Sequence, residues 1–373
     1  MDYEIRRADT ADYAELIRFA EMVFSVDFSK VRPNLYHGHP DQAEYHLLVT
    51  EGDQIKALVG SFPLELRIGG MPLKLRGIGT VSVHPDSRGK GYMKLLMKRQ
   101  IDEAIADHTD LMFLGGQRQR YGYFGFERGV TEISFHVSPT NRRHHQEIST
   151  EEIRLIPLAD HPEYTEDCHS LYRAQDVTSV RDADRFCEIL RTGTSSGWVI
   201  LKNDGFLGYA SIAEDGSEVN ELILNDNSLA QETVFRIVEH FSRDVQFFPT
   251  WNQQELIRAL DGIAEDCSVQ AEEMVYVMNY PRVIEAYLSL KGSHSALADG
   301  KIVLEIQGAG RFAIIVENNR AQVSETTDAP DRSLSHLEAM RYLFSPSSLP
   351  LYETALERSW LPIPIIVPRP DDV

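Results

Sequence analysis

The stretch TVSVHPDSRGKGYMKLLM, residues 80–97, joins an alternating apolar run to a polar turn and then to an amphipathic segment. Val81 and Val83 alternate as in a β-strand, whereas Leu95, Leu96, Ile101 and Ile105 follow helical spacing. The pattern predicts a strand, a glycine-containing turn and a helix. Main-chain N–H groups at a helix start lack intrahelical partners, and the helix dipole adds partial positive charge there. We therefore expect a phosphate-bearing ligand at this turn.

The turn RGKG, residues 88–91, has the chemistry to hold such a ligand. Its glycines allow positive φ and a close backbone approach, and Arg88 and Lys90 offer cationic donors. It is not a Walker loop, because the lysine is followed by glycine rather than by Ser or Thr. It is not a dinucleotide fingerprint either, because Gly77 and Gly79 precede the strand. The alternative is a strand-to-helix turn that merely carries surface charges.

The block VSVHPDSRGKGYMKLLM resembles motif A of the GNAT superfamily of acetyl-coenzyme A dependent N-acetyltransferases, R/Q-x-x-G-x-G/A after a V-x-V-x-P strand. It matches at Arg88 and Gly91 and has Met93 where Gly or Ala is usual, which looks like the Eis-type branch of the superfamily. A second block, LMFLGGQRQRYGYFGFERG at residues 111–129, resembles the next GNAT strand and helix, with their Y-G-x-F-G-F/Y signature.

This resemblance implies acetyl-CoA as co-substrate and assigns residues to it. The implied cofactor-binding residues are Val81, Ser82, Val83, Arg88, Gly89, Lys90, Gly91, Tyr92, Met93, Lys94, Gly116 and Gln117. The main-chain N–H of Val83 would face the thioester oxygen, where negative charge develops. Tyr121 would act as the general acid that protonates the departing thiolate, and Tyr123 is interpreted as a packing residue.

The general base is not identified by any His or Glu in a distinctive context. In Eis-type enzymes the C-terminal carboxylate returns to the first domain as the base, which implies the α-carboxylate of Val373 here. The tail WLPIPIIVPRPDDV, residues 360–373, is apolar and stiffened by prolines, and so we expect it to pack inward. The alternative is a tail that is disordered after Pro368. Asp27 and Asp372 are candidate acidic groups for holding a cationic substrate.

Composition limits the class of partner. A net charge of −20 would repel the phosphates of nucleic acid and favours a cationic amine as substrate. No apolar run reaches the length of a membrane span and MDYEIRRADT lacks an apolar signal region, so we expect a cytoplasmic protein. Cys168, Cys187 and Cys267 are widely scattered, predict neither a disulfide nor a metal site, and are interpreted as buried small hydrophobes.

Strand and helix patterns predict a mixed α+β (α/β) chain of three domains. Residues 1–140 fit a catalytic GNAT fold, with strands at 45–50, 55–68, 111–114 and 131–137. The polar segment at 139–150 is interpreted as a linker. Residues 141–280 resemble a degenerate second GNAT fold with a mixed, partly splayed sheet, ending in a strand at 272–279. Aspartate replaces the phosphate turn there, in Leu224-Asn225-Asp226-Asn227. The alternative for this half is an unrelated α/β domain. Residues 281–373 resemble the sterol-carrier-like α+β domain of Eis-type chains.

The sequence thus favours an N-acetyltransferase of Eis type, which acts on a cationic small molecule or a lysine side chain without a metal. Other acceptors, such as a peptide N-terminus or a polyamine, remain open. A different class also remains open: a protein that binds acetyl-CoA or a lipid and senses it without turnover. Related enzymes include hexamers, so a homo-oligomer is a further possibility that the resemblance raises.

Overall fold

The structure is a computed structural model that describes residues 3–373. In the first third of the chain, alternating apolar residues form long antiparallel strands. The strands here are β1 (Glu4–Arg7), β2 (His46–Glu51), β3 (Gln54–Ile68), β4 (Met71–Val83), β5 (Leu111–Leu114) and β6 (Glu127–Arg128). The helices are α1 (Tyr13–Phe24), α2 (Phe28–Val31), α3 (Pro33–Tyr36), α4 (Tyr92–Ala106) and α5 (Arg118–Gly122). The predicted strands at 45–50, 55–68 and 111–114 agree with β2, β3 and β5.

The middle of the chain repeats the pattern of strands and helices. Its strands are β7 (Thr131–Val137), β8 (Ile153–Pro157), β9 (Val177–Ser179), β10 (Ser195–Lys202), β11 (Gly205–Ala213), β12 (Glu218–Leu224), β13 (Val245–Phe247) and β14 (Asp266–Ala271). Its helices are α6 (Pro139–His144), α7 (Thr165–Arg173), α8 (Phe186–Ile189), α9 (Ala230–Phe241) and α10 (Gln254–Asp261). Strand β7 has the predicted bounds, whereas β14 and α10 were not predicted from the sequence.

The last part of the chain supplies a small sheet and three helices. Its strands are β15 (Met274–Val277), β16 (Gly300–Ile306), β17 (Gly310–Glu317), β18 (Arg320–Glu325) and β19 (Arg332–Leu334). Its helices are α11 (Tyr280–His294), α12 (His336–Phe344) and α13 (Ala355–Trp360). Among the described residues, 3–373, no helix combines the length and apolar character that crossing a membrane requires.

The chain divides into two compact units. Unit 1 contains the described residues up to Val130, together with Ala271–Ile365 and Val373, and unit 2 contains Thr131–Gln270 and Ile366–Asp372. In unit 1 the strand order is β1-β2-β3-β4-β5-β15-β6, with β4 and β5 parallel. In unit 2 the order is β14-β7-β13-β12-β11-β10-β8, with β12 and β13 parallel. The third sheet, β18-β17-β16-β19, belongs to unit 1. The predicted mixed α+β class with mixed sheets is confirmed.

Apolar clusters cover both faces of the first sheet. On one face, α4 and α5 pack with β4 and β5 through residues such as Leu96, Met97 and Tyr121. On the other face, α1 and α3 pack through Leu16, Phe19 and Tyr36. The sheet is therefore the middle layer of a three-layer structure, and a strand that leaves its neighbour opens a gap between two packed faces.

Three sequence interpretations are wrong in detail. The strand predicted at 272–279 does not close the second half; as β15 it pairs with β5 and β6 in the first sheet. The predicted linker at 139–150 begins with helix α6, because Ser138 and Asn141 form a reciprocal capping box at its start. Only Cys168 is buried, since Cys187 is half-buried and Cys267 is exposed. The strand at 272–279 was assigned to the wrong sheet because its partners are distant in the sequence, and local periodicity does not indicate which strands pair.

The tail is packed inward, as its composition predicted. Ile363 and Ile365 are completely buried, and the N–H of Ile363 donates to the carbonyl of Leu343 at 2.7 Å. Lys291 donates to the carbonyl oxygens of Trp360 and Pro362 at 2.9 and 3.1 Å. Burial lowers the pKa of Lys291 to about 8. Beyond Pro368, Pro370 and Asp371 are also buried, which does not fit a tail that is disordered there.

Replacing Ile365 by Ala tests the contribution of the tail to stability. The substitution should lower the free energy of unfolding by about 2–5 kcal/mol, because it removes buried apolar groups and leaves a cavity. Leu351→Ala is the matched control, because Leu351 is 66 % exposed. Urea unfolding monitored by far-UV circular dichroism would measure both, and equal small effects would contradict inward packing.

Candidate active site

Strand β4 leaves its parallel neighbour halfway along its length. The β4–β5 ladder consists of Leu75↔Leu111, Arg76↔Met112 and Gly77↔Phe113 and ends there. Strand β4 continues to Val83, still paired with β3 on its other side. The last six residues of β4 therefore have one edge that β5 does not cover, and this edge is the candidate cofactor groove.

Hydrogen-bond alternation shows which main-chain groups face the groove. The N–H of His84 donates to the carbonyl of Lys56 at 2.9 Å, on either side of the aligned pair Ala57↔Val83. That pair is consequently of the non-hydrogen-bonded kind, and the N–H and C=O of Val83 point away from β3. The same alternation turns the main chain of the buried Ser82 towards β3, and the Ser82 hydroxyl donates to the carbonyl of Thr80 at 3.0 Å.

A loop of open glycines connects this edge to helix α4. Gly89 and Gly91 have φ of +81° and +84°, and a Cβ at either position would meet no atom within 4 Å. Gly91 occupies the N-cap of the 15-residue helix α4 and provides no side-chain cap. The first N–H groups of α4, which include those of Tyr92, Met93 and Lys94, therefore lie at an uncapped helix start beside open space, which suits an anion.

The charged side chains of the loop have different surroundings. Arg88 is exposed. Lys90 instead pairs with Glu51 at 2.7 Å, and the hydroxyl of Tyr92 donates to the same carboxylate at 2.5 Å. These bonds lower the pKa of Glu51, with Lys90 the larger cause. Lys94 lies over the ring of Tyr123 at 4.5 Å. Arg88 is thus the loop cation most open to a phosphate.

Tyr121 lies at the start of the open region on the α4 face of the sheet. It packs on the same apolar cluster as Val81, Val83 and Met93. Its ring fills the space beside Gly116, where a Cβ would come within 2.8 Å of the ring. Tyr121 is 7 % exposed, and this burial raises the pKa of its hydroxyl, which therefore stays protonated at neutral pH. Tyr123 is 63 % exposed, so its interpretation as a packing residue is wrong.

Helix α5, which holds Tyr121, is fixed by a buried carboxylate. Arg118 donates to Glu127 through Nε and Nη2 at 2.5 and 2.7 Å, and Arg341 of α12 pairs with the same carboxylate at 2.8 Å. Burial alone would raise the pKa of Glu127, but the hydrogen bonds from Arg118 and the main chain leave it lowered. Gln117 precedes this helix as its N-cap residue.

Val373 lies against the middle of β4, on the α1 face. A Cβ on Gly77 would come within 2.6 Å of Val373 Cγ2 and 2.8 Å of Phe113 Cζ. A Cβ on Gly79 would lie 3.2 Å from the carbonyl carbon of Val373. The two glycines thus make a seat for the last residue, next to the point where β5 diverges. The sequence drew attention to Gly77 and Gly79 only as glycines in the wrong place for a dinucleotide motif.

Three polar residues beside this seat form a chain that the sequence did not reveal. The hydroxyl of Tyr36 lies 2.9 Å from His46 Nε2 and 3.1 Å from Thr80 Oγ1. His46 Nδ1 lies 3.3 Å from the carbonyls of Gln42 and Ala43, which assigns the ring proton to Nδ1 and makes Nε2 the acceptor. Burial lowers the pKa of His46 to about 4, so the ring is neutral.

Thr80 carries backbone strain at the same place. It has φ of +49°, which is rare for a β-branched residue, and the β3–β4 register shifts beside it, between Leu58 and Gly60. Such strain costs of order 1–3 kcal/mol and persists only where the surroundings hold it. Its bond to Tyr36 is one such restraint.

The two acidic residues predicted for substrate binding lie in different units. Asp27 in unit 1 is the N-cap residue of α2, half-exposed, and pairs with Lys30 at 3.3 Å. Asp372 belongs to unit 2, where its N–H donates to the carbonyl of Arg369 at 3.2 Å. Within residues 3–373 no group of three or more His, Cys, Asp or Glu side chains is arranged to hold a metal ion.

Comparison with known proteins relates the first part of the chain to one family model. Residues 4–129 match the model described as an acetyltransferase (GNAT) domain. No curated protein shows significant similarity to the chain.

Solved structures share the fold over nearly the whole chain. A GCN5-related N-acetyltransferase from Kribbella flavida is 17 % identical, with a TM-score of 0.68 and coverage of 97 % of this chain and 95 % of that one. One from Anabaena variabilis is 20 % identical, with a TM-score of 0.68 and 96 % coverage of both chains. Eis1 from Mycobacterium abscessus is 15 % identical, with a TM-score of 0.66 and coverage of 100 % and 99 %.

The buried His46 should make the fold sensitive to acid. Its folded pKa of about 4 lies below the ordinary 6.5, so the unfolded chain binds more protons between these values. Stability should therefore fall as pH drops from about 6.5 towards 4, by up to about 3 kcal/mol from this residue.

Urea midpoints measured between about pH 7 and pH 4.5 would test this, with His46→Gln showing a flatter acid dependence. His37→Gln is the matched control, because His37 is exposed and its replacement removes a histidine from the surface of the same unit rather than from its core. Parallel curves for wild type and His46→Gln would contradict the assignment of a neutral buried ring.

Proposed function

We propose that this protein transfers an acetyl group from acetyl-CoA directly to the primary amine of a cationic small molecule or a lysine side chain. The observation that supports this most is the seat of Val373 at Gly77 and Gly79, where β4 leaves β5. It puts a terminal carboxylate beside the open strand edge that leads to the α4 anion site.

Each residue has a role in this proposal. The groove edge at Val81 and Val83 takes the pantetheine arm, and Ser82 supports it from the β3 side. Arg88, Gly89, Lys90, Gly91 and the first turn of α4, from Tyr92 to Lys94, take the pyrophosphate. Gly116 and Gln117 lie on the adenine side. Asp27 attracts the cationic acceptor, which the net charge of −20 also favours.

The chemistry requires one base, one acid and one oxyanion donor. The carboxylate of Val373, anionic at neutral pH as α-carboxylates are, takes a proton from the substrate ammonium. The amine nitrogen then bonds to the acetyl carbon while the Val83 N–H stabilises the carbonyl oxygen. The carbon–sulfur bond breaks, and the protonated hydroxyl of Tyr121 gives its proton to the thiolate. The nitrogen, which became positively charged on attack, releases its second proton to water and leaves the neutral amide. Exchange with solvent returns Tyr121 to the acid form and Val373 to the carboxylate.

The other two blocks complete the proposed Eis-type organisation. Strands β8-β10-β11-β12-β13 in unit 2 repeat the order and directions of β1-β2-β3-β4-β5, which supports a second GNAT fold. Asp226 accepts from the N–H of Ser228 at 3.0 Å just before α9, so a carboxylate occupies the position of the phosphate. The sheet β18-β17-β16-β19 with α11 and α12 is the block that we assign as sterol-carrier-like.

Separate removal of the acid and the base tests the mechanism. Tyr121→Phe and deletion of Val373 should each lower kcat by about 10²–10⁴-fold, the range that a general acid or base supplies. Val373→Ala is the matched control, since it keeps the terminal carboxylate and loses only the isopropyl group. Acetyl transfer to a panel of amines would be followed by release of free thiol.

The outcomes separate the alternatives. Full activity after deletion of Val373, together with loss of activity in Tyr121→Phe, would exclude the terminal carboxylate as the base but retain the proposal of an acetyltransferase. Tight binding of CoA with no turnover on any amine would favour a sensor.

Replacing Val83 by Pro tests the oxyanion donor. The N–H of Val83 is outside the β3 ladder, so proline removes a donor that faces the groove without breaking a sheet bond. We expect a fall in kcat of about 10²–10³-fold with little change in the urea midpoint. Ser82→Pro is the contrasting variant, because Ser82 donates within the ladder, and its main effect should be loss of stability. Unchanged kcat in Val83→Pro would contradict the role.

A further inference from the structure

Unit 2 has an opening like the one that forms the candidate active site. Strand β12 pairs with β13 only at Glu218↔Gln246 and Val219↔Phe247, and then continues alone on that side to Leu224. At the helix start that follows β12, the carboxylate of Asp226 accepts hydrogen bonds from the N–H and the hydroxyl of Ser228. A phosphate ligand would meet a negative charge there, so this cleft is suited to a different occupant.

The occupant is a segment of the same unit, Ile366–Asp372. Its short helical turn, Arg369–Asp371, lies beside β12. Asp371 is 7 % exposed, and its carboxylate accepts from Ser179 Oγ at 2.8 Å and from Arg181 at 3.0 Å. An aspartate that is almost fully buried requires partners of this kind.

Arg181 is the centre of a closed charge cluster. Its side chain is 0 % exposed, and its two terminal nitrogens each donate to Glu221 of β12 at 2.8 Å. The guanidinium lies 3.8 Å from the centre of the Tyr172 ring, and Tyr209 donates to Glu221 at 2.7 Å. Glu221 and Tyr172 therefore fix the fork of Arg181 in the orientation in which it also reaches Asp371.

The first residue of the turn is recognised separately. Arg369 Nε donates to Asn220 Oδ1 at 2.9 Å, and its guanidinium lies 3.7 Å from the centre of the Phe248 ring. The terminal nitrogens of Arg369 also pair with Glu218, at 3.3 Å, and with Glu132. Basic and acidic side chains of the turn thus meet opposite charges on the cleft, and Pro370 between them keeps the turn stiff.

We propose that the cleft of unit 2 is a peptide-binding site whose ligand is this chain's own Arg369-Pro370-Asp371 turn. Arg181 is the recognition residue for Asp371, and Asn220 and Phe248 recognise Arg369. The opening that in a GNAT fold accepts a cofactor arm is used here to clamp the chain two residues before Val373. This assignment concerns unit 2 by itself and does not rest on the proposed function.

Hydrogen–deuterium exchange on the full chain, followed by mass spectrometry, tests the clamp without any turnover. Amides of the segment are protected by bonds such as Asp371 N–H to the carbonyl of Pro368 at 2.9 Å. We expect Asp371→Asn and Arg181→Met to speed exchange in the peptide covering residues 366–372 by at least about tenfold. Asp215→Asn is the matched control, because Asp215 is an exposed partner of Arg243 in the same unit.

Arg181→Met leaves Glu221 buried without its cationic partner, and this loss alone could prevent folding. We therefore include Arg369→Gln, which changes a partly exposed side chain. Faster exchange in Asp371→Asn and Arg369→Gln with an unchanged urea midpoint would support the clamp. Exchange within about twofold of wild type in both folded variants would overturn it. If CoA fails to bind the wild-type protein while the exchange result holds, the proposed enzyme is wrong and the clamp stands.

Discussion

The divergence of β4 from β5 is the constraint on which the candidate site depends. Beyond Gly77 the main chain of β4 keeps its bonds to β3 but has no strand partner on the other side. Unpaired main-chain N–H groups must be satisfied by water or by a ligand, because leaving them buried and bare is costly. The open edge of β4, the open glycine loop and the start of α4 follow one another along the chain. This arrangement suits an extended ligand that has an anionic group at one end.

Small residues and polar restraints hold this opening in shape. Gly77 and Gly79 have no side chain on the side where Val373 packs, so backbone and tail approach to a distance that any Cβ would forbid. Thr80 adopts a strained conformation immediately afterwards and is bonded to Tyr36, which is bonded to His46. The strain, the bulge and the buried polar chain therefore occur where β4 continues beyond its pairing with β5, and strain of this kind is common at functional sites.

Local patterns explain how much could be predicted. Apolar patterns predicted β3, β5 and β7 nearly to the residue, and the RGKG turn before α4 predicted where an anion would bind. The apolar tail was expected inside because Ile363 and Ile365 are too hydrophobic to remain in water.

The failures concern contacts between residues far apart in the chain. Strand β15 joins the first sheet across about 160 residues, and no local signal reports which sheet a short apolar strand will join. The bond of Lys90 to Glu51 and the chain from His46 to Thr80 arise from the packing of separate elements. Tyr123 looked like Tyr121 in composition, and only the direction of α5 distinguishes the exposed ring from the buried one.

The support of α5 by α12 has a consequence for how the molecule can be divided. Glu127 joins Arg118 of the tyrosine-bearing helix to Arg341 from the last third of the sequence, and β15 separates β5 from β6 in the same sheet. A fragment cut after Val130 would lose a central strand of its own sheet and leave apolar edges bare. The family match that ends at Gly129 therefore does not mark an autonomous module. Unit 1 is discontinuous in sequence, and its early and late segments complete the same sheet.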